Sequence, residues 1–133
     1  MTNQEMKSKV MSLGNRLAVR MNRKEAFVQA WAIVKGSGLE LPVKGVSFGR
    51  GQEALRRLAR YNAADVWAFI VPEQGNVADN KAAAVFVGVQ NGRGLFCIGY
   101  LPREYAPAAV SLKATGLRVI GDEVRGARLR LAV

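Results

Sequence analysis

Site chemistry needs groups that ionise, coordinate a metal or attack a substrate, and this chain is poorly supplied with them. Its 133 residues contain no histidine and one cysteine, Cys97. That removes imidazole acid–base chemistry, the hydrolytic triads and nearly every transition-metal site. Cys97 sits in the apolar run Leu95-Phe96-Cys97-Ile98, where a thiol reads as a small buried hydrophobe rather than a nucleophile. The ten carboxylates are scattered, with no D-x-D or E-x-x-E pair to mark a magnesium or acid/base site. The chain therefore reads as non-catalytic, with no cofactor and no metal. What it has in excess is cations: twenty Lys and Arg against ten Asp and Glu, a formal charge of +10. Such an excess in a small chain points to a polyanionic partner such as nucleic acid. Residues 1–42 carry a net +4 and residues 43–133 a net +6, so no single tail holds it.

The elements that must position these cations begin with two helices. Val10, Leu13, Leu17 and Met21 recur at steps of three and four, one stripe of a helix that Gly14 weakens. Asn22-Arg-Lys-Glu25 has the form of a capping box and opens a second helix with Phe27, Ala30, Trp31 and Val34 on one face, stopped by Gly36-Ser37-Gly38. The two stripes cover each other only in part, so Phe27 and Trp31 should also pack on the following domain or on a second copy of the chain. A helix-turn-helix reading is also open, although the second helix offers few polar side chains to base edges.

After Leu41-Pro42 the pattern becomes β-rich. Strands are expected at 43–48, 65–71, 82–89 and 95–100, with 82–89 and 95–100 forming a hairpin around Asn91-Gly92. Gln52 to Tyr61 reads as a short helix with Leu55, Leu58 and Tyr61 on one side and Arg56, Arg57 and Arg60 elsewhere. Pro102 should open a short or two-part helix over 102–114, closed by Gly116. A last strand alternates Leu129, Leu131 and Val133 with Arg128, Arg130 and Ala132, giving one buried and one basic face. The expectation is an α+β chain: a helical segment over 1–41, then a small OB- or SH3-like β-barrel of five or six strands with short crossover helices over 42–133.

Two further runs carry a resemblance. Glu73-Gln-Gly-Asn76-Val-Ala-Asp79-Asn-Lys-Ala82-Ala-Ala-Val85, followed by Ile98-Gly99-Tyr100-Leu101-Pro102-Arg103-Glu104-Tyr-Ala106, resembles the HIRAN domain pattern E-P-x-N-x-x-D-x-N-A-x-x-V and I-G-Y-L-P-x-x-x-A. Val43-Lys-Gly-Val-Ser-Phe48 is similar to that family's first strand, so the resemblance covers residues 43–133. It implies a modified OB-like barrel, found alone in bacteria and phages and fused to DNA-remodelling helicases in eukaryotes, where it grips the 3′ end of single-stranded DNA. Carried over by position, Phe48 stands where a base-stacking ring is expected, Asn76 and Asp79 at the polar pair for the terminal nucleotide and its 3′ hydroxyl, and Tyr100 at the pocket wall. The sequence departs from the pattern at Ser47, Gly75, Ala78 and Lys81. Physically, stacking on an aromatic ring is tolerant of base identity, a carboxylate accepts from a free hydroxyl while repelling phosphate, and Arg50, Arg56, Arg57, Lys81 and Arg103 would hold phosphates in a salt-dependent way.

The leading expectation is thus a non-catalytic module for single-stranded DNA or DNA 3′ ends, of the kind used in repair or replication, with the helices serving homodimerisation or a partner protein. The rivals are a protein-interaction adaptor of phage or plasmid origin and a small DNA-acting hydrolase. The N-terminus lacks a signal-peptide core and no apolar run reaches membrane-spanning length, so a cytoplasmic protein with no membrane partner is expected.

Overall fold

The computed structural model describes residues 2–36, 39–45, 50–73, 82–89, 94–121 and 125–133. Helix α1 spans Asn3–Leu17 and helix α2 Arg23–Lys35. Thr2 Oγ1 accepts from the Glu5 amide at 3.1 Å and Asn22 Oδ1 from the Glu25 amide at 2.8 Å, so each helix starts on a side-chain cap. Val10, Leu13 and Leu17 are buried, as their spacing predicts. On α2 the buried residues are Ala26, Ala30, Ile33 and Val34, while Phe27 and Trp31 flank them half-buried. Gly14 is buried in this contact because the Phe27 ring lies where a Cβ would stand, 2.7 Å from its nearest atom. The Arg23 guanidinium sits 4.9 Å from the Phe27 ring centroid and Lys35 Nζ 5.0 Å from that of Trp31.

Strand β1 covers Glu40–Pro42, helix α3 Arg50–Leu58, β2 Val66–Pro72, β3 Ala83–Val89, β4 Phe96–Tyr100, β5 Lys113–Ile120 and β6 Gly126–Ala132. A single 3₁₀ turn, Ala63–Asp65, precedes β2, and a longer 3₁₀ segment, Arg103–Ser111, joins β4 to β5. The molecule is α+β, and the six strands among the described residues form two three-stranded antiparallel sheets, ordered β1-β6-β5 and β2-β3-β4, rather than one closed barrel. Among the described residues the expected barrel does not close, because only one junction between the sheets is hydrogen-bonded. The Val43 amide donates to Ala127 of the first sheet at 2.9 Å, and the next residue, Lys44, exchanges both backbone bonds with Tyr100 of the second, at 2.7 and 2.8 Å. At the other junction β2 lies against β5 without a ladder between them.

Three other expectations need correcting. The first described strand is Glu40–Pro42; of the expected 43–48 strand, Lys44 forms a bridge to Tyr100, and residues 46–48 lie outside the described residues. The segment after Pro102 is a 3₁₀ run with Pro107 inside it, because a residue without an N–H and with a bulky ring cannot continue an α-helical ladder. Gly116 does not close that helix but lies within β5, at a register shift between Ala114 and Gly116.

The expected hairpin is present as β3 against β4, and its turn residues 90–93 lie outside the described residues. The buried face of β6 is Ala127, Leu129 and Leu131, as the alternation predicts. One continuous hydrophobic core takes in Val10, Leu13 and Leu17 of α1, Leu55 of α3, Val85 and Val87 of β3, Ile98 of β4 and Leu129 of β6. The helical hairpin is tied to the 3₁₀ segment by Arg16 donating to Ser111 Oγ and by Arg20 donating to the Arg103 carbonyl at 3.0 Å. α3 is tied to the entry of β6: the Gln52 side-chain amide donates to the Arg125 carbonyl at 2.6 Å and accepts from its N–H at 2.8 Å. No helix among the described residues is long and apolar enough to cross a membrane.

Candidate nucleic-acid interface

α3 is amphipathic. Ala54, Leu55 and Leu58 enter the core, so Arg56 and Arg57 are left exposed; Arg60, expected on this helix, is exposed in the turn after it. Arg57 donates to Glu53 one helical turn earlier at 2.8 Å, a surface pair that adds little to stability and leaves donors for another acceptor. Helix and strand β4 together form an open groove of about 520 Å³ lined by Glu53, Ala54, Arg57, Phe96 and Cys97. Phe96 is 37% exposed there, so one wall offers an aromatic face and the other a guanidinium.

Cys97 is exposed in this groove, against the expectation of burial. Cys97 pairs with the outward Phe86, and alternation puts its neighbour Ile98 in the core; the register shift between Val85 and Phe86 falls beyond it, at Ile98. Partial burial of the sulfur, with the Glu73 carboxylate adding to it, pushes the Cys97 thiol above its usual range despite the opposing effect of backbone groups of Gly99 and Val85, and the thiol donates to the Gly99 carbonyl at 3.4 Å. It is a protonated thiol at neutral pH.

Tyr100 stands at the far end of β4, about 13 Å from Phe96 at the rise of an extended strand. Its hydroxyl donates to the Glu73 carboxylate at 3.3 and 3.4 Å, and desolvation together with that negative charge raises its pKa. Arg103 opens the 3₁₀ segment with an exposed side chain. The residues singled out from sequence thus fall into two groups among the described residues: Arg57 beside the start of β4, with Arg56 exposed on the same helix, and Tyr100 and Arg103 at and beyond the end of β4. Arg50 opens α3, and its side chain lies outside the described residues, as do Phe48, Asn76, Asp79 and Lys81.

The sequence reading missed a second surface. On β2, Val66, Ala68 and Ile70 pack toward the core while Trp67, Phe69 and Val71 point outward, 57%, 40% and 42% exposed. Phe69 pairs across the sheet with Phe86, and Phe86 with Cys97, so one outward row runs from the β5 side of the sheet to the α3 groove. Where β2 meets β5 without pairing, a groove of about 410 Å³ is lined by Ala64, Trp67, Phe69, Thr115 and Gly116 among others. Beyond it, Arg118 opposes Arg128 and Gly116 opposes Arg130 on the outward face of the other sheet. Glu40 draws two of these together, with its carboxylate 2.9 Å from Arg118 and 3.9 Å from Arg128. The available signal was that residues 66–71 are apolar at both parities, which a strand facing solvent on one side does not require.

Comparison with known proteins returned no matching family model, no matching curated protein and no matching solved structure.

Proposed function

We propose that this chain is a non-catalytic module that binds single-stranded nucleic acid, DNA strands or strand ends foremost, and that it is a HIRAN-like relative whose OB-like barrel is opened along one side. The single observation that carries the reading is the α3–β4 groove. There an exposed aromatic face, Phe96, meets the Arg57 guanidinium, with Arg56 exposed on the same helix and Arg60 exposed in the turn after it. A base needs a flat apolar partner and its phosphate a cation, and sequence-tolerant single-strand sites combine these two. A net charge of +10 supplies the long-range attraction. In this reading Phe48, Asn76 and Asp79 supply end recognition and Tyr100 the pocket wall, as the family resemblance implies, while Arg50, Lys81 and Arg103 add phosphate contacts.

The test is a fluorescence-anisotropy titration of a short labelled oligonucleotide across a salt series. Saturable binding is expected, with the logarithm of the association constant falling linearly with the logarithm of salt. Replacing Arg56 and Arg57 together by alanine should flatten that slope by about 1.4, the single-strand contribution of two phosphates. Oligonucleotides ending in a 3′ hydroxyl or a 3′ phosphate, compared in the same titration, read out end recognition. Incubation with magnesium should leave the strand intact. Absence of saturable binding near physiological ionic strength would hand the chain to the adaptor reading, and strand cleavage to the hydrolase reading.

A further inference from the structure

We propose that the single strand runs over the outer faces of both sheets across the unpaired β2–β5 junction, with bases on Trp67 and Phe69 and phosphates on Arg118, Arg128 and Arg130. The inference rests on the single-strand reading above but names a different surface, one that no residue motif in the sequence marked.

Three observations carry it. The first is orientation: β2 has apolar side chains at every position from Val66 to Val71, yet only alternate ones reach the core, so two aromatic rings and a valine are held toward solvent by the pleat itself. Packing does not ask for aromatic residues at Trp67 and Phe69. A sheet that displays aromatic rings outward is a known solution for stacking two or three unpaired bases.

The second is charge. Across the junction the outward face of β5 and β6 carries Lys113, Arg118, Arg128 and Arg130, with Glu40 the acidic residue paired into it. An apolar surface meant for a second protein surface of this chain would bring those cations against their own copies. A polyanion with flat apolar bases complements both halves at once. Glu40 holds the Arg118 and Arg128 guanidiniums side by side, and Arg118 is left with donors directed away from it.

The third is space. The junction groove of about 410 Å³ lies between the aromatic row and the arginine face, and its floor at Thr115 and Gly116 carries no large side chain. The row Phe69-Phe86-Cys97 then continues the surface toward the α3 groove, so the track and that groove lie at opposite edges of one sheet.

The chain has two tryptophans, and Trp31 lies half-buried against Lys35, so Trp31→Phe leaves Trp67 as the sole tryptophan, read by selective excitation of indole. Titrating that variant with oligothymidylate should quench its emission, saturating at the same concentration as anisotropy. Trp67→Ala with Phe69→Ala should weaken binding at least tenfold while leaving the thermal melt within about a degree of the parent, and Arg118→Ala with Arg128→Ala should flatten the salt slope by about 1.4. Saturable anisotropy without a change in Trp67 emission would overturn the track while leaving the single-strand reading intact. No binding by the parent protein would overturn both. A change of molecular mass in Trp67→Ala with Phe69→Ala, at unchanged oligonucleotide affinity, would show the face to be a protein interface and overturn the proposal.

Discussion

The two junctions between the sheets are built from the same materials and finished differently. At the first, the chain passes from β1 into Lys44 and exchanges two short backbone hydrogen bonds with Tyr100. This approach is possible because residue 99 is glycine: a Cβ there would collide with the Lys44 carbonyl oxygen and stand 2.9 Å from Val43 Cγ1. At the second, β2 and β5 come together without exchanging hydrogen bonds, and Gly116 has open space, the nearest atom to its would-be Cβ being the Arg130 Cβ at 4.0 Å. One junction is closed by removing a side chain, and the other stays open with a glycine whose missing side chain nothing requires. The difference separates a structural seam from a surface kept available. Unpaired edges are an association hazard that proteins normally cover or charge, and here the arginine face lies beside the open one.

Substituting alanine at each glycine should break this symmetry. Gly99→Ala forces either the Lys44 carbonyl or β4 to move, and overpacking of that kind costs about 1–3 kcal/mol. The melting temperature should fall by roughly 5–10 °C on a domain of this size. Amide exchange at Lys44 and Tyr100 should rise with it, since those two protons form the seam. An unchanged melt would mean that the seam contributes nothing. Gly116→Ala meets no clash and has no left-handed backbone to strain, so restricting the unfolded chain should leave the protein neutral or more stable by about 0.4–1 kcal/mol. A loss larger than about 1 kcal/mol at Gly116 would show that the open junction is packed after all.

Which parts of this arrangement were legible in the sequence follows from how local each cause is. The helices α1 and α2, the β3–β4 hairpin and the two faces of β6 rest on short-range periodicity, on Asn22 as a cap and on a Leu/Arg alternation, and each is present. Arg56 and Arg57 were legible as an exposed helical face for the same reason. Pro107 was legible too: it keeps the segment that Pro102 opens short, and that segment is the 3₁₀ run Arg103–Ser111.

Cys97 was misplaced because an apolar run does not show which parity of a strand faces the core: Ile98 is buried, so by alternation its neighbour Cys97 faces outward, opposite Phe86. The outward Trp67 and Phe69 escaped notice because their composition is that of a core strand, and only the position of the other sheet decides which parity faces water. The closed seam joins residues 44 and 99, a contact that depends on the whole topology, so Gly99 reads from sequence as a motif glycine and from the structure as a place where two backbones touch.

The smallest effect concerns the side chain that sits on the closed seam. Desolvation, then the Glu73 charge, raises the Tyr100 pKa above its ordinary value of 10.0, so the folded protein holds the phenolic proton more tightly than the unfolded chain does. The stabilisation linked to that shift is therefore complete below pH 10 and is lost as pH rises through the folded pKa, because the unfolded state releases its proton first. Tyr105, raised by its own burial and by Glu25 and Glu104, adds a term of the same sign. Tyr100→Phe keeps the backbone bridge to Lys44 and removes only the hydroxyl, whose bonds to Glu73 are long. Urea midpoints should thus be nearly equal for parent and variant at pH 7 to 9, and above pH 10 the parent should lose stability more steeply than Tyr100→Phe. Parallel curves through pH 11 would place the phenol in an environment no different from that of the unfolded chain. They would also leave the seam to the backbone bonds and Gly99 alone.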